Sequence, residues 1–215
     1  MDIVTPGAAN LGLFIGAALV LLLIPGPAVL YIVTRSVEQG RLAGLVSGLG
    51  IHAATLVHVM AAAVGLSALL ASSALAFSIV KYAGAAYLIW LGLKKICGRA
   101  EAPDLGAVRR TPFARLIRDG FIVNLFNPKT ALFFLAFLPQ FVEVSRGHVA
   151  MQIVFLGMVF TLLGLITDGC YALVAGTAGT WLRRSRAYLG FERYVSGALF
   201  IGLGLSAAFA GNNKK

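Results

Sequence analysis

Two charged side chains stand inside long apolar stretches of this sequence, Lys129 in FNPKTALFF and Asp168 in GLITDGCYALVA. A charge surrounded by apolar residues is costly in hydrocarbon and marks a functional site by default. The Lys129 ammonium could bind a carboxylate, and the Asp168 carboxyl could carry a proton or hold an ammonium. Structural roles are the alternative, because Lys129 could extend to an interface and Asp168 could simply pair with it or with a helix end.

Polar side chains near these charges extend the candidate site. Asn124 and Asn127 are three residues apart, so both amides lie on one helical face and can line one cavity, unless they merely satisfy broken backbone. His52 and His58 are six residues apart, which places them on different faces and does not make a metal pair. Either histidine could titrate in a proton path, and a structural role is the alternative for both.

Prolines interrupt the apolar stretches that carry these residues. In LLLIPGPAVLY, Pro25 and Pro27 cannot donate to the carbonyls of Leu21 and Leu23, which must then find other partners inside a membrane. The helix that restarts after Pro27 points a positive dipole end inward. In the second stretch, Asn127 suits a helix N-cap and Pro128 suits the first helical position.

Two helix N-termini that face one centre would form a cradle for a carboxylate, whereas the alternative is that PGP and NP are only kinks. We predict a substrate-binding site made by Pro25, Gly26, Pro27, Asn124, Asn127, Pro128 and Lys129. We predict Asp168 as the proton-coupling residue, with His52 and His58 as the other candidates.

The composition indicates a polytopic α-helical membrane protein. The 215 residues are 59% hydrophobic and 12% charged, whereas soluble domains are about 45–50% apolar and about 25% charged. Apolar stretches long enough to cross a bilayer as helices are expected at about 11–33, 45–70, 78–96, 120–142, 150–176 and 194–211. We therefore expect six transmembrane helices in a single domain that spans residues 1–215.

The basic residues predict the topology. Thirteen of the 18 lysines and arginines lie in or beside the loops after the first, third and fifth stretches, and cytoplasmic loops collect such residues. Both termini should then face out, with the loop at about 97–118 in the cytoplasm. The halves at about 8–97 and 119–212 would form inverted three-helix repeats, with broken first helices at PGP and NPK as in transporters. The net charge of +10 does not indicate a nucleic-acid partner, because most of the basic residues lie in these loops.

Longer motifs carry a family resemblance. The PGP of helix one and the segment GFIVNLFNPKTALFFLAFLPQF at 120–141 resemble the lysine exporter (LysE/RhtB) family of amino-acid efflux translocators. The segments KYAGAAYLIWLGLKKI at 81–96 and SGALFIGLGLSAAF at 196–209 resemble the third and last helices of that family. The resemblance implies export of amino acids or close derivatives across the bacterial inner (cytoplasmic) membrane, driven by the proton gradient without ATP hydrolysis.

We therefore expect a secondary exporter that alternates its access to a midplane site. Its expected partners are a small zwitterionic amino acid, protons and the lipid bilayer, and a homo-oligomer is left open. No nucleotide-binding, protease or esterase motif is present, so we expect neither an enzyme nor a cofactor or bound metal. The alternatives are an exporter of inorganic or metal cations, for which ligands are scarce, and a membrane scaffold or assembly factor.

The topology can be tested by labelling single cysteines placed at Leu105 and Asn213 in a chain whose own cysteines are replaced. An impermeant thiol reagent added to intact cells should label position 213 and leave position 105 unlabelled, because the basic loop is expected inside. The opposite pattern would contradict both the predicted orientation and the inverted repeat that depends on it.

Overall fold

The structure, a computed structural model, describes residues 6–72 and 111–182 and isolated helical positions between 79 and 97 and between 194 and 205. All the regular secondary structure of the described residues is helical, which confirms the predicted all-α class. The helices predicted over 78–96 and 194–211 lie outside the described residues, apart from those isolated positions. The six-span inverted arrangement therefore stays a prediction.

Six α-helices and three short helical turns make up the described part of the chain. The α-helices are α1 (Ala8–Leu23), α2 (Pro27–Gln39), α3 (Arg41–Ser72), α4 (Phe113–Leu125), α5 (Pro128–Leu132) and α6 (Val149–Leu182). A π-helical turn, Phe133–Phe137, and two 3₁₀ turns, Leu138–Phe141 and Val144–Arg146, connect α5 to α6.

Two of the described helices are long and apolar enough to cross a membrane, over Arg41–Gly65 of α3 and Val149–Thr177 of α6. Two helix pairs are bent at short breaks and pass the same test only when each pair is taken together. The bend is 52° between Ala9–Leu22 and Pro27–Gln39, and 49° between Phe113–Leu125 and Pro128–Phe141. The described residues thus contain two candidate spans, or four if each bent pair is one span.

The helices extend beyond several of the boundaries expected from the sequence. Helix α4 begins at Phe113, directly after Pro112, so residues 113–118 are helical and do not belong to an irregular loop. Pro112 suits the position before a helix because it lacks an N–H that would need an intrahelical acceptor. Hydropathy marks only the apolar part of a helix, and the basic first turns of α4 lie outside that part.

Helix α3 lies at the centre of the described bundle, packed along α4 and α6, and α2 lies against α3 and α6. Glycines allow α3 and α4 to approach closely. A methyl group on Gly50 of α3 would overlap the Ile117 carbonyl, and one on Gly120 of α4 would lie 2.6 Å from the Ser47 carbonyl oxygen. This close approach brings the end of α4, where Asn124 lies, against the middle of α3.

An aromatic cluster supports the turns that follow α5. Phe133 and Phe134 of the π-helical turn are buried with Phe14 of α1 and Phe160 of α6. The Phe133 and Phe160 rings are stacked with their centroids 4.5 Å apart. These contacts fix the direction in which α5 leaves the break, because large rings packed on three sides leave little room for rotation.

A polar cluster around Glu143 ties the start of α1 to the turns before α6. The carboxylate accepts hydrogen bonds from the Gly7 backbone N–H at 2.8 Å and from Asn10 Nδ2 at 2.9 Å, and it pairs with Arg146. Gln152 bonds to both the backbone N–H and the carbonyl of Glu143. The bond from Gly7 holds the pKa of Glu143 below its usual value, and Arg146 and Asn10 act in the same direction.

The Glu143 cluster should make stability depend on pH. A carboxyl with a lowered folded-state pKa stabilises the fold above its ordinary pKa, 4.5 here, and loses that contribution as the pH falls through the folded-state value. Glu143→Gln should therefore lower the melting temperature of the detergent-solubilised protein at neutral pH. The difference from the wild type should close as the pH falls through the lowered pKa of Glu143. A difference that stays constant with pH would show that the carboxylate charge contributes nothing.

Candidate functional site

The break between α1 and α2 leaves backbone carbonyls that side chains from later in the chain satisfy. Helix α1 ends at Leu23, and the Leu21 carbonyl accepts a bond from the Ile24 N–H at 3.3 Å. The Leu23 carbonyl accepts a hydrogen bond from the Tyr171 hydroxyl at 2.6 Å, and the Ile24 carbonyl accepts one from Lys129 Nζ at 2.5 Å. The carbonyls that the prolines leave behind are therefore paired within the protein.

Lys129 lies across the break, with its buried ammonium at the C-terminal end of α1. The carbonyl end of a helix is the negative end of its dipole, so a cation there is stabilised. Gly26 makes room for the side chain, since a methyl group on Gly26 would lie 3.1 Å from Lys129 Cδ. The contact with the Ile24 carbonyl holds the lysine at the break and was not expected from the sequence.

Asn127 and Pro128 begin α5 as the sequence predicts. The Asn127 side-chain oxygen accepts a hydrogen bond from the Lys129 backbone N–H at 3.1 Å, and Pro128 occupies the first turn. The Ala131 N–H then bonds to the Asn127 carbonyl at 3.0 Å. This cap fixes the backbone next to Lys129 and aims the lysine side chain across to α1.

The amide of Asn124 is fully hydrogen-bonded at the end of α4. Its Nδ2 donates to the Ile51 carbonyl at 2.8 Å and to the Thr55 hydroxyl at 2.9 Å. Its Oδ1 accepts from the Thr130 hydroxyl at 2.9 Å and from Asn127 Nδ2 at 3.2 Å. An amide can make four such bonds, so Asn124 has no capacity left for a ligand in this conformation. It ties α3, α4 and α5 together at the second break.

Asp168 of α6 faces His52 of α3. The His52 Nε2 and Asp168 Oδ2 atoms are 3.4 Å apart, and both side chains are buried. Neither ring nitrogen of His52 has a hydrogen-bond partner among the described residues. Gly164, one turn before Asp168, allows the ring to lie there, because a methyl group on it would be 3.0 Å from His52 Cε1.

One cavity brings most of the predicted site residues together. It is lined by Gly26, His52, Asn124, Asn127, Lys129 and Asp168, beside apolar side chains. Pro25 is buried next to it, Pro27 is exposed and Pro128 is half-buried, and none of these three lines the cavity. His58 lies outside it too, with Nε2 3.2 Å from the Asn124 carbonyl and its ring stacked on Phe134. Of the two candidate histidines, His52 is thus the one that faces the cavity.

The cavity is small in this conformation, at about 40 Å³. A buried water needs roughly 10–15 Å³ of such space, so the cavity has room for a few waters, whereas small-molecule pockets measure about 300–1,000 Å³. The first turn of α2 reaches the wall at Ala28 and Val29, and the first N–H groups of a helix have no acceptor within it. The wall therefore combines a helix N-terminus, a cation and a carboxylate around a space that is too small for an amino acid.

Three neighbours of the site were not among the predicted residues. Thr55 and Thr130 complete the bonds of Asn124, and the Tyr171 hydroxyl completes the break of α1. Their sequence signals are weak, because a threonine in an apolar helix usually bonds within its own helix. The sequence does place Tyr171 on one helical stripe with Asp168 and Thr161, by spacings of three and seven, and the same spacing of three relates Thr55 to His52.

Among the described residues, no group of three or more His, Cys, Asp and Glu side chains could hold a metal ion. The polar groups of the cavity instead suit a small solute with a negative and a positive end. Buried charges at breaks in apolar helices define a class, that of membrane proteins that handle polar solutes.

A family model described as "LysE type translocator" matches residues 19–211, and the chain belongs to this family. The resemblance noted in the sequence is thereby confirmed. Members of the family are transporters and not enzymes, which confirms that expectation as well. No solved structure matches the chain.

The alignments with similar proteins cover nearly the whole chain. A protein named "Uncharacterized membrane protein" from Vibrio cholerae is 31% identical over 193 residues, which cover 90% of this chain and 93% of the relative. The "Homoserine/homoserine lactone efflux protein" of Salmonella typhimurium is 34% identical, with 86% and 89% covered. The "Leucine efflux protein" of the same organism is 26% identical, with 91% and 93% covered.

The saturated amide of Asn124 predicts a structural effect on substitution. Asn124→Ala removes four buried hydrogen bonds and leaves their partners unpaired, so it should destabilise the fold by about 2–4 kcal/mol at roughly 1 kcal/mol per bond. Asn10→Ala, which loses one partly exposed bond to Glu143, is the matched control and should cost about 1 kcal/mol or less. Chemical unfolding in detergent measures both. An Asn124→Ala protein as stable as the wild type would contradict this structural role.

Proposed function

We propose that this protein is a secondary exporter of amino acids or close derivatives, coupled to the proton gradient across the bacterial inner membrane. The observation that carries the proposal is the cavity that has a buried cation, Lys129, and a buried carboxylate, Asp168, in one wall. An amino acid has one group to match each charge. The efflux relatives named for homoserine and for leucine support this substrate class.

The substrate carboxylate binds between the first turn of α2 and Lys129 in this proposal. Ala28 and Val29 bring N–H groups of the α2 N-terminus to the cavity wall, where the helix dipole favours an anion. The Lys129 ammonium bonds to the Ile24 carbonyl in the present conformation. It therefore has to exchange that carbonyl for the substrate carboxylate, an exchange favoured because a charged acceptor binds an ammonium more strongly than a neutral one.

Asp168 carries the coupling proton. It lines the cavity inside α6, where a carboxyl can be neutral or charged according to what lies beside it. A proton taken up from the outside and released to the cytoplasm on Asp168 would link the inward proton gradient to outward movement of the substrate. No other Asp or Glu lines this cavity among the described residues.

The transport cycle alternates access to the cavity from the two sides of the membrane. The cavity of the present conformation is too small for an amino acid, so substrate binding requires the walls to separate. The residues that line the cavity come from the two halves of the chain, with His52 in one and Asp168 in the other. Relative movement of the two halves, arranged as six spans in inverted repeats with both termini outside, would open it to each side in turn.

Transport by inside-out membrane vesicles tests the proposal. Vesicles that contain the protein should accumulate L-leucine or L-homoserine when their interior is acidic, and a protonophore should abolish the accumulation. Asp168→Asn should lower accumulation at least tenfold yet retain exchange of labelled for unlabelled substrate, because Lys129 and the α2 N-terminus still hold the substrate carboxylate while the coupling proton is lost. Lys129→Met should weaken binding about tenfold or more, since one charge-assisted bond contributes about 1.5–3 kcal/mol.

Asp119→Asn is the matched control, because Asp119 lies at the surface of α4 beside Arg118 and outside the cavity. It should transport like the wild type. Lys129→Arg keeps the positive charge. A melting temperature below that of the wild type would show that loss of the bond to the Ile24 carbonyl destabilises the fold, which distinguishes that effect from weaker substrate binding. Accumulation by Asp168→Asn together with normal binding by Lys129→Met would overturn both assigned roles.

A further inference from the structure

We propose that His52 and Asp168 form one shared site that holds either a proton or the ammonium group of the substrate, and never both. The inference rests on the proposed function and adds to it a second residue and a rule for exchange. Its basis is the placement of the two side chains, one on α3 and one on α6, with Nε2 and Oδ2 3.4 Å apart on the cavity wall.

His52 is the unexplained member of the pair. The residue is 7% exposed, and neither ring nitrogen has a hydrogen-bond partner among the described residues. A buried polar group without a partner costs free energy, and native proteins retain such groups chiefly where a ligand or water completes them. The neighbouring cavity is the space from which a partner can reach the ring.

The chemistry of the pair suits an ammonium or a proton. An imidazole nitrogen and a carboxylate oxygen are both acceptors, so they can be bridged by one proton or can both accept from one ammonium. Two titratable groups at this distance share their proton, which belongs to the pair and not to either residue. An ammonium at the same two atoms leaves no acceptor for the proton, and the two cations also repel each other.

The surrounding groups leave this pair as the place where a cation can bind. The described cavity wall contains one further charged group, Lys129 of α5, and α1, α2 and α4 contribute no titratable side chain to it. Lys129 repels cations and can bind only the opposite, carboxylate end of a zwitterion. An amino acid would therefore lie with its ammonium at His52 and Asp168 and its carboxylate towards Lys129 and α2.

Competition for one site fixes the exchange. Substrate that enters from the cytoplasm displaces one proton to the cytoplasm, and a proton that enters from outside displaces the substrate to the outside. No covalent bond forms or breaks, and one proton moves inward for each amino acid exported. A zwitterion carries no net charge, so each cycle moves one positive charge into the cell.

The experiment follows the histidine rings during substrate binding. The chain has three histidines, so ring nitrogen NMR signals of the purified full-length protein can be assigned by single substitutions. Addition of L-leucine or L-homoserine at constant pH should change the His52 signals and leave those of His148 unchanged. A pH indicator in weak buffer should report release of about one proton for each molecule bound, and Asp168→Asn should release none.

His52→Gln tests the shared proton separately, because a glutamine amide can accept a hydrogen bond but cannot hold the proton. The pH of half-maximal proton release should move by about one unit or more, since coupled groups at this distance interact by at least that amount. An unchanged pH of half-maximal release would overturn the inference. If His52→Gln does not fold, Gly164→Ala is the alternative variant. Its added methyl group would lie 3.0 Å from His52 Cε1 and press against the ring, so it should weaken substrate binding.

The possible outcomes distinguish the shared site of His52 and Asp168 from the proposed export function. Binding of leucine or homoserine without any change in the His52 signals would overturn the shared site and leave the exporter proposal standing. Absence of binding across a panel of amino acids would overturn the proposed function and the inference with it. Binding that releases no proton over the pH range tested would overturn the competition between the two cations.

Discussion

The arrangement of the site depends on one constraint, that a backbone broken inside an apolar bundle must have its carbonyls paired. At the end of α1, Tyr171 and Lys129 bond to the carbonyls of Leu23 and Ile24. The bond from Lys129 brings its charge to the cavity and holds it there. Since an unpaired carbonyl in hydrocarbon costs several kcal/mol, these bonds decide where α5 and α6 can lie relative to α1.

The polar contacts of the site join the two halves of the described chain. Lys129 reaches Ile24, Asn124 reaches Ile51 and Asp168 faces His52. Apolar helices pack against one another with little selectivity, whereas a hydrogen bond in that setting has few alternative partners. The same groups therefore hold the halves in register and line the space between them, so the site and the interface cannot be altered independently.

The sequence predicted the charged and capping residues better than their partners. Lys129 and Asp168 stand out because a charge in an apolar stretch is rare, and the cap at Asn127 follows from the NP pair. The Lys129 contact with the Ile24 carbonyl was not predictable, because backbone atoms carry no sequence signal and the two residues are 105 positions apart. The early start of α4 was missed since hydropathy does not register a basic helical turn, and the pairing of His52 with Asp168 required the packing of α3 on α6.

The paired carbonyls of the α1 break have a consequence for biosynthesis. Both donors, Lys129 and Tyr171, are translated more than 100 residues after Leu23 and Ile24. When the first helices leave the ribosome, the two side chains that bond to the Leu23 and Ile24 carbonyls have not yet been synthesised. The nascent chain must therefore keep this segment near water, lipid headgroups or the insertion machinery until α5 and α6 follow. Insertion of the second half would then complete the first, so the order of synthesis makes the early helices dependent on the late ones.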